Sequence, residues 1–150
     1  MTPLAFRQGI YGALQSLGFK KRGKSVYRDQ ERVLVLVSVE GGKSSRWYID
    51  VGFWLKSLGE TTTDRHEKTH IYIRLEWLFP MYRDIILAAC ALGAPDQPIG
   101  YKRLLELLPT EIDGRLRSIG TEDGLKIALR DSHFSHALSL PEARKYLEQL

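Results

Sequence analysis

At 150 residues, 43% hydrophobic and 27% charged, the chain has the size and composition of one globular domain spanning 1–150. Its longest nearly apolar run, Ile85 to Ala94, is far short of the roughly 20 residues of a membrane-spanning helix, and Met1-Thr2-Pro3 lacks the basic and apolar stretches of a secretion signal. A cytoplasmic protein without a membrane partner is therefore expected; the single cysteine, Cys90, allows no internal disulfide, and the net charge of +4 lies wholly within residues 1–60.

Thr2 before Pro3 reads as a helix cap followed by proline at the first helical position, and Phe6, Ile10, Leu14 and Leu17 then recur at helical spacing. This predicts a helix over Pro3 to Leu17, stopped by Gly18. Ala5, Gly9, Gly12 and Ser16 make a second stripe of small side chains, which is either a close packing surface or plain solvent-facing helix. Next come Lys20, Lys21, Arg22, Lys24 and Arg28, which together account for the positive excess. Such a basic turn either attracts phosphate, acidic protein or anionic lipid, or is simply soluble.

Alternating patterns predict short strands over Ser25 to Arg28 and Arg32 to Val39, joined by Asp29-Gln30-Glu31. A turn at Gly41 to Ser45 leads to a third strand with Trp47, Ile49, Val51, Phe53 and Leu55 on one face and Tyr48, Asp50, Gly52 and Trp54 on the other. Residues 57–69 read as a long polar loop, and Ile71 to Trp77 as a fourth strand with Ile71, Ile73, Leu75 and Trp77 facing the core. From Met81 onward the spacing is helical. Ile85 to Leu92 and Tyr101 to Leu108 are the first two segments, with further starts signalled at Thr110, Thr121 and Ser139. The architecture expected is α+β: a four-stranded antiparallel meander in chain order, an N-terminal helix on its Val33/Ile49/Ile73 face, and a helical C-terminal half.

Gly18-Phe19-Lys20-Lys21, Gly23 and Tyr27-Arg28, following a short amphipathic helix, resemble a bacterial family known only as a domain of unknown function. The resemblance covers roughly the first half of the chain. It implies a small bacterial domain with no established activity, so it transfers no catalytic residue.

Two motifs carry a catalytic signature. Gly18 to Ser25 spells G-x-x-x-x-G-K-S, the phosphate-binding loop, which works when a strand precedes it and a helix follows. Here the predicted order is helix first and strand second. His66-Glu67-Lys68-Thr69-His70 spells H-E-x-x-H, which gathers zinc when helical. In a loop entering a strand, residues four apart lie up to roughly 13 Å from each other, too far to share an ion. Cys90 reads as a buried apolar residue, and His133 with His136 as a polar pair near a helix end. Neither an enzyme nor a metal or other cofactor is expected.

Tyr48, Asp50 and Trp54 share the second sheet face with Tyr72, Arg74 and Glu76. Aromatic residues mixed with arginine are enriched at interfaces. A C-terminal helix could cover this face; with Leu34 and Leu36 on the same side, partial coverage that leaves an edge or groove is expected. The leading expectation is a bacterial protein-binding domain of immunity or accessory type, its partner another protein or a second copy, with Tyr48, Trp54, Tyr72 and Arg74 in contact. The alternative is nucleic-acid binding through Lys20, Lys21, Arg22, Lys24 and Arg28. A zinc- or nucleotide-dependent hydrolase comes third.

Overall fold

The side-chain oxygen of Thr2 accepts from the Ala5 amide at 3.1 Å and starts helix α1 (Pro3–Gln15) as its sequence predicts. This computed structural model describes residues 1–42 and 45–150, and for His133 the backbone alone. Of the turn expected at Gly41 to Ser45, Lys43 and Ser44 lie outside the described residues; the Gly42 amide donates to the Arg46 carbonyl at 2.8 Å. Phe6, Ile10, Tyr11 and Leu14 bury one face of α1 in the core. The small-residue stripe divides: a Cβ on Gly9 would stand 1.7 Å from the Tyr101 hydroxyl, whereas one on Gly12 would meet nothing within 4 Å. Gly18, at φ +96°, takes the left-handed conformation that lets the chain leave the helix.

Six strands follow, each pairing antiparallel with the next in chain order: β1 (Lys20–Arg22), β2 (Ser25–Gln30), β3 (Val33–Gly41), β4 (Trp47–Leu55), β5 (Ile71–Arg74) and β6 (Leu138–Ser139). The meander order stands as expected, but among the described residues the sheet has six strands rather than four. Most of the basic segment is the edge strand β1, and only Gly23 and Lys24 turn the chain. At the other edge β6 returns from the helical half to pair with β5. The expected fourth strand also ends early, at Arg74. Leu75, Leu78 and Phe79 fall at helical spacing, and the short helix α2 (Leu75–Leu78) buries Leu75 and Leu78 together.

Helices α3 (Arg83–Cys90), α4 (Gln97–Leu107), α5 (Asp113–Ile119), α6 (Glu122–Ala128) and α7 (Pro141–Glu148) complete the chain. The helix start expected at Thr110 is not there. The backbone passes from α4 to α5 through one wider π-type turn, Leu108–Ile112, next to Pro109, which has no amide to donate, and Thr110 instead donates to the Glu106 carbonyl. Thr121 caps α6 as expected, accepting from Gly124 at 2.9 Å. Ser139 lies in β6 instead of capping α7, and its hydroxyl accepts from Arg144.

The strand parity divides the molecule. Val33, Val35, Val37 and Val39 oppose Leu55, Phe53, Val51 and Ile49, and this face joins α1 and the C-terminal helices in one core. The opposite face carries Ser38, Glu40, Tyr48, Asp50, Trp54, Tyr72 and Arg74. Among the described residues its partial cover is chiefly the segment before β5, with His136 and Leu138 of the C-terminal half at the far end. Asp64 accepts from the Lys24 amide at 2.9 Å and from the Ser25 hydroxyl at its carbonyl. Thr69 packs so close to Gly52 that a Cβ there would stand 2.6 Å from its hydroxyl.

Candidate functional site

The part of the second face left uncovered is a cleft of about 490 Å³. Register builds it: Asp50 pairs with Ser38 on one side and Arg74 on the other, and Glu40 pairs with Tyr48. Tyr72 stands one strand step from Arg74 on the same face. A single 3-10 turn, His66–Lys68, lowers His66 onto this row. Trp77 of α2, His136 and Leu138 close the far wall.

Three ring contacts stiffen the walls. The Arg74 guanidinium lies 3.8 Å from the centre of the Tyr48 ring, His136 stacks on Trp77 at 3.9 Å, and His66 meets Tyr72 edge-on at 5.2 Å. Among the described residues the Arg74 guanidinium has no hydrogen bond or ion pair, so its donors remain available on an exposed, fixed plane.

The floor is acidic. His66 Nε2 lies 3.5 Å from Asp50 Oδ2, while its Nδ1 lies 3.9 Å from Glu40 Oε1 and 3.5 Å from Glu67 Oε2. Burial pushes the Asp50 carboxyl up to about 6, against the opposing pull of His66 and Arg74. Among the described residues neither His66 Nδ1 nor Glu67 Oε2 has a hydrogen-bond partner, although both atoms are buried.

No family model, curated protein or solved structure matches this chain.

The cleft gathers Tyr48, Tyr72 and Arg74 from the expected interface residues and leaves Trp54 out. The Trp54 indole donates to the Gly59 carbonyl at 2.8 Å, its ring stacks on His70 at 3.9 Å, and it borders a separate hollow with Arg22 and Lys56. Of the basic residues, Lys20, Lys21 and Lys24 are exposed, and Arg22 lies 4.1 Å above the Tyr27 ring. Arg28 is not a surface cation. It is 6% exposed, bonded to Asp113 at 2.5 Å and to the Leu17 carbonyl at 2.8 Å, and rests 4.4 Å over Phe19. Its charge is balanced inside the fold and leaves the anion-binding set.

Both motif-bearing segments take other shapes. Gly18 to Ser25 is the end of α1 followed by the β1–β2 hairpin, with the Ser25 hydroxyl 2.7 Å from that of Ser38. His66 and His70 diverge in role: His70 Nδ1 accepts from the buried Leu55 amide at 2.9 Å, and burial lowers its pKa. The expected pairing of His133 with His136 rests on a side chain outside the described set; His136 stacks on Trp77. Sequence reasoning missed Glu40, Trp77 and His136 as cleft residues. Glu40 was within reach, since it shares the parity of Leu34, Leu36 and Ser38; Trp77 was hidden because reading 71–77 as one strand turned it toward the core.

Proposed function

We propose that this chain is a non-catalytic protein-binding domain, of the immunity or accessory kind, whose partner docks in the cleft between Tyr48, Tyr72, Arg74 and Trp77. The observation that carries this reading is Arg74 held flat on Tyr48 with its donors free, beside two further aromatic side chains in the same cleft. Tyrosine, tryptophan and arginine dominate binding hot spots because they offer large contact area with little conformational freedom to lose. The partner that fits places a carboxylate against Arg74 and an apolar side chain against Tyr72 and Trp77.

Nucleic acid is the second reading, favoured by Lys20, Lys21 and Lys24 along one exposed edge. Three phosphate contacts would give a log–log salt slope of roughly 2.7 on duplex DNA. One experiment separates the two: affinity capture with and without nuclease, comparing wild type, Tyr72→Ala with Arg74→Ala, and the triple alanine variant at Lys20, Lys21 and Lys24. Loss of a nuclease-resistant partner from the cleft variant alone is the expected result. Loss from the lysine variant alone, with sensitivity to nuclease, would overturn the proposal.

A further inference from the structure

Three carboxylates converge on one imidazole at the cleft floor. Glu40, Asp50 and His66 each offer a donor atom, all within 4.8 Å of one another. Glu67 stands beside them, one carboxylate oxygen bonded to Arg65 Nε at 2.6 Å and the other 3.5 Å from His66 Nδ1. Arg65 pairs with the outer oxygen of Glu67 and Arg74 acts on Asp50 from its place on Tyr48, but among the described residues neither Glu40 nor Asp50 has an ion pair with a lysine or arginine. Like charges gathered this way repel unless a positive ion lies among them.

An independent observation points the same way. His66 is 8% exposed, and among the described residues its buried Nδ1 has no hydrogen-bond partner, nor has Glu67 Oε2. Buried polar atoms in native proteins are nearly always paired, so an orphaned imidazole nitrogen facing carboxylates marks a position where a partner belongs. The spacing admits one ion: one ligand atom each from Glu40, Asp50 and His66 lie within 4.8 Å of one another, against roughly 3.4 Å between ligands about 2.1 Å from a tetrahedral centre; His66 turns Nε2 to Asp50 at 3.5 Å and Nδ1 to Glu40 at 3.9 Å, and one of these nitrogens is the ligand. Closing the longer gap falls to Glu40, whose side chain is 53% exposed and free to adjust.

We infer that Glu40, Asp50 and His66, with Glu67 at their side, form a binding site for one first-row divalent cation, zinc or manganese. One imidazole with carboxylates suits such borderline ions; magnesium and calcium prefer oxygen-only shells. The ion neutralises the floor and leaves a coordination position open toward the cleft, where a carboxylate or water can enter. The site stands whether or not a protein docks above it.

The test uses the full chain, stripped with chelator, dialysed and titrated with zinc chloride or manganese chloride alone by calorimetry, with metal content measured after gel filtration. One equivalent should bind and raise the thermal midpoint. Glu40→Gln, Asp50→Asn and His66→Gln should each weaken binding at least tenfold, whereas His70→Gln should leave it intact. Cobalt substituted at the site should give a visible absorption that Asp50→Asn alters. If His66→Gln fails to fold, Glu40→Gln at the exposed rim and Asp50→Asn decide. Absence of stoichiometric binding by the wild type, unchanged affinity in those two variants, or loss of binding in His70→Gln alone would each overturn the inference.

Discussion

Replacing Arg28 with alanine is expected to destabilise the protein by about 3–5 kcal/mol, the cost of breaking a buried ion pair from one side. The guanidinium is 6% exposed and ties three parts of the chain together: the Leu17 carbonyl after α1, Gln30 Oε1 at 2.8 Å on its own strand, and Asp113 at the start of α5. Burial lowers its pKa and the bond to Asp113 opposes that shift, so the partner offsets the cost of holding the charge inside the fold. For a chain of this size each kcal/mol moves the thermal midpoint by about 2–4 °C, so a drop of about 10 °C should appear by calorimetry. Urea unfolding should show the same loss as a lower midpoint with unchanged slope. Asp113→Ala should destabilise comparably, and the double variant should cost less than the sum of the singles. By contrast, alanine at Lys20, Lys21 or Lys24 should each change stability by no more than about 0.5 kcal/mol. An Arg28→Ala variant within 1 kcal/mol of wild type would refute the assignment of this residue to the fold.

Gly12→Ala should stabilise by about 0.5–1 kcal/mol, since the site is open and alanine favours helix; Gly9→Ala should instead destabilise, because its Cβ would collide with the Tyr101 hydroxyl, and urea midpoints will rank the two. His70 must be neutral to accept from the Leu55 amide, and its folded pKa is lowered by burial. Its contribution is therefore present above the unfolded pKa near 6.5 and lost as pH falls through and below that value; stability measured from pH 8 to 5 should fall on the acid side less steeply in His70→Gln than in wild type. Cys90 is 2% exposed, with burial pushing its thiol up to about 12, so a thiol reagent at pH 8 should label it only after unfolding.

The sheet order and the identity of the core were legible because side-chain parity is a local signal. The alternation through Val33–Val39 and Ile49–Leu55 sets the inward face, and short connections leave few topologies. The errors came where tertiary contacts decide between patterns that coexist. Leu75 satisfies both a strand alternation with Ile73 and a helical spacing with Leu78, and packing chose the helix. Thr110 and Asp113 match a helix-start pattern, yet α4 runs on through a wider turn. Arg28 belonged to a basic run in sequence, and only a contact 85 residues away, to Asp113, shows that it is internal. The cleft was half legible: parity placed Tyr48, Asp50, Tyr72 and Arg74 on one face, while His66 reached that face through a turn that polar loop sequence does not announce.

The most direct test of the cleft as the binding site is site-specific photo-crosslinking in the cells that produce the protein, with a benzophenone side chain placed at Tyr72 or, as control, at Lys21. A discrete protein adduct from position 72, erased by Arg74→Ala and unaffected by nuclease, is the predicted result. Adducts from position 21 alone, or none from position 72 while a partner still co-purifies, would contradict it.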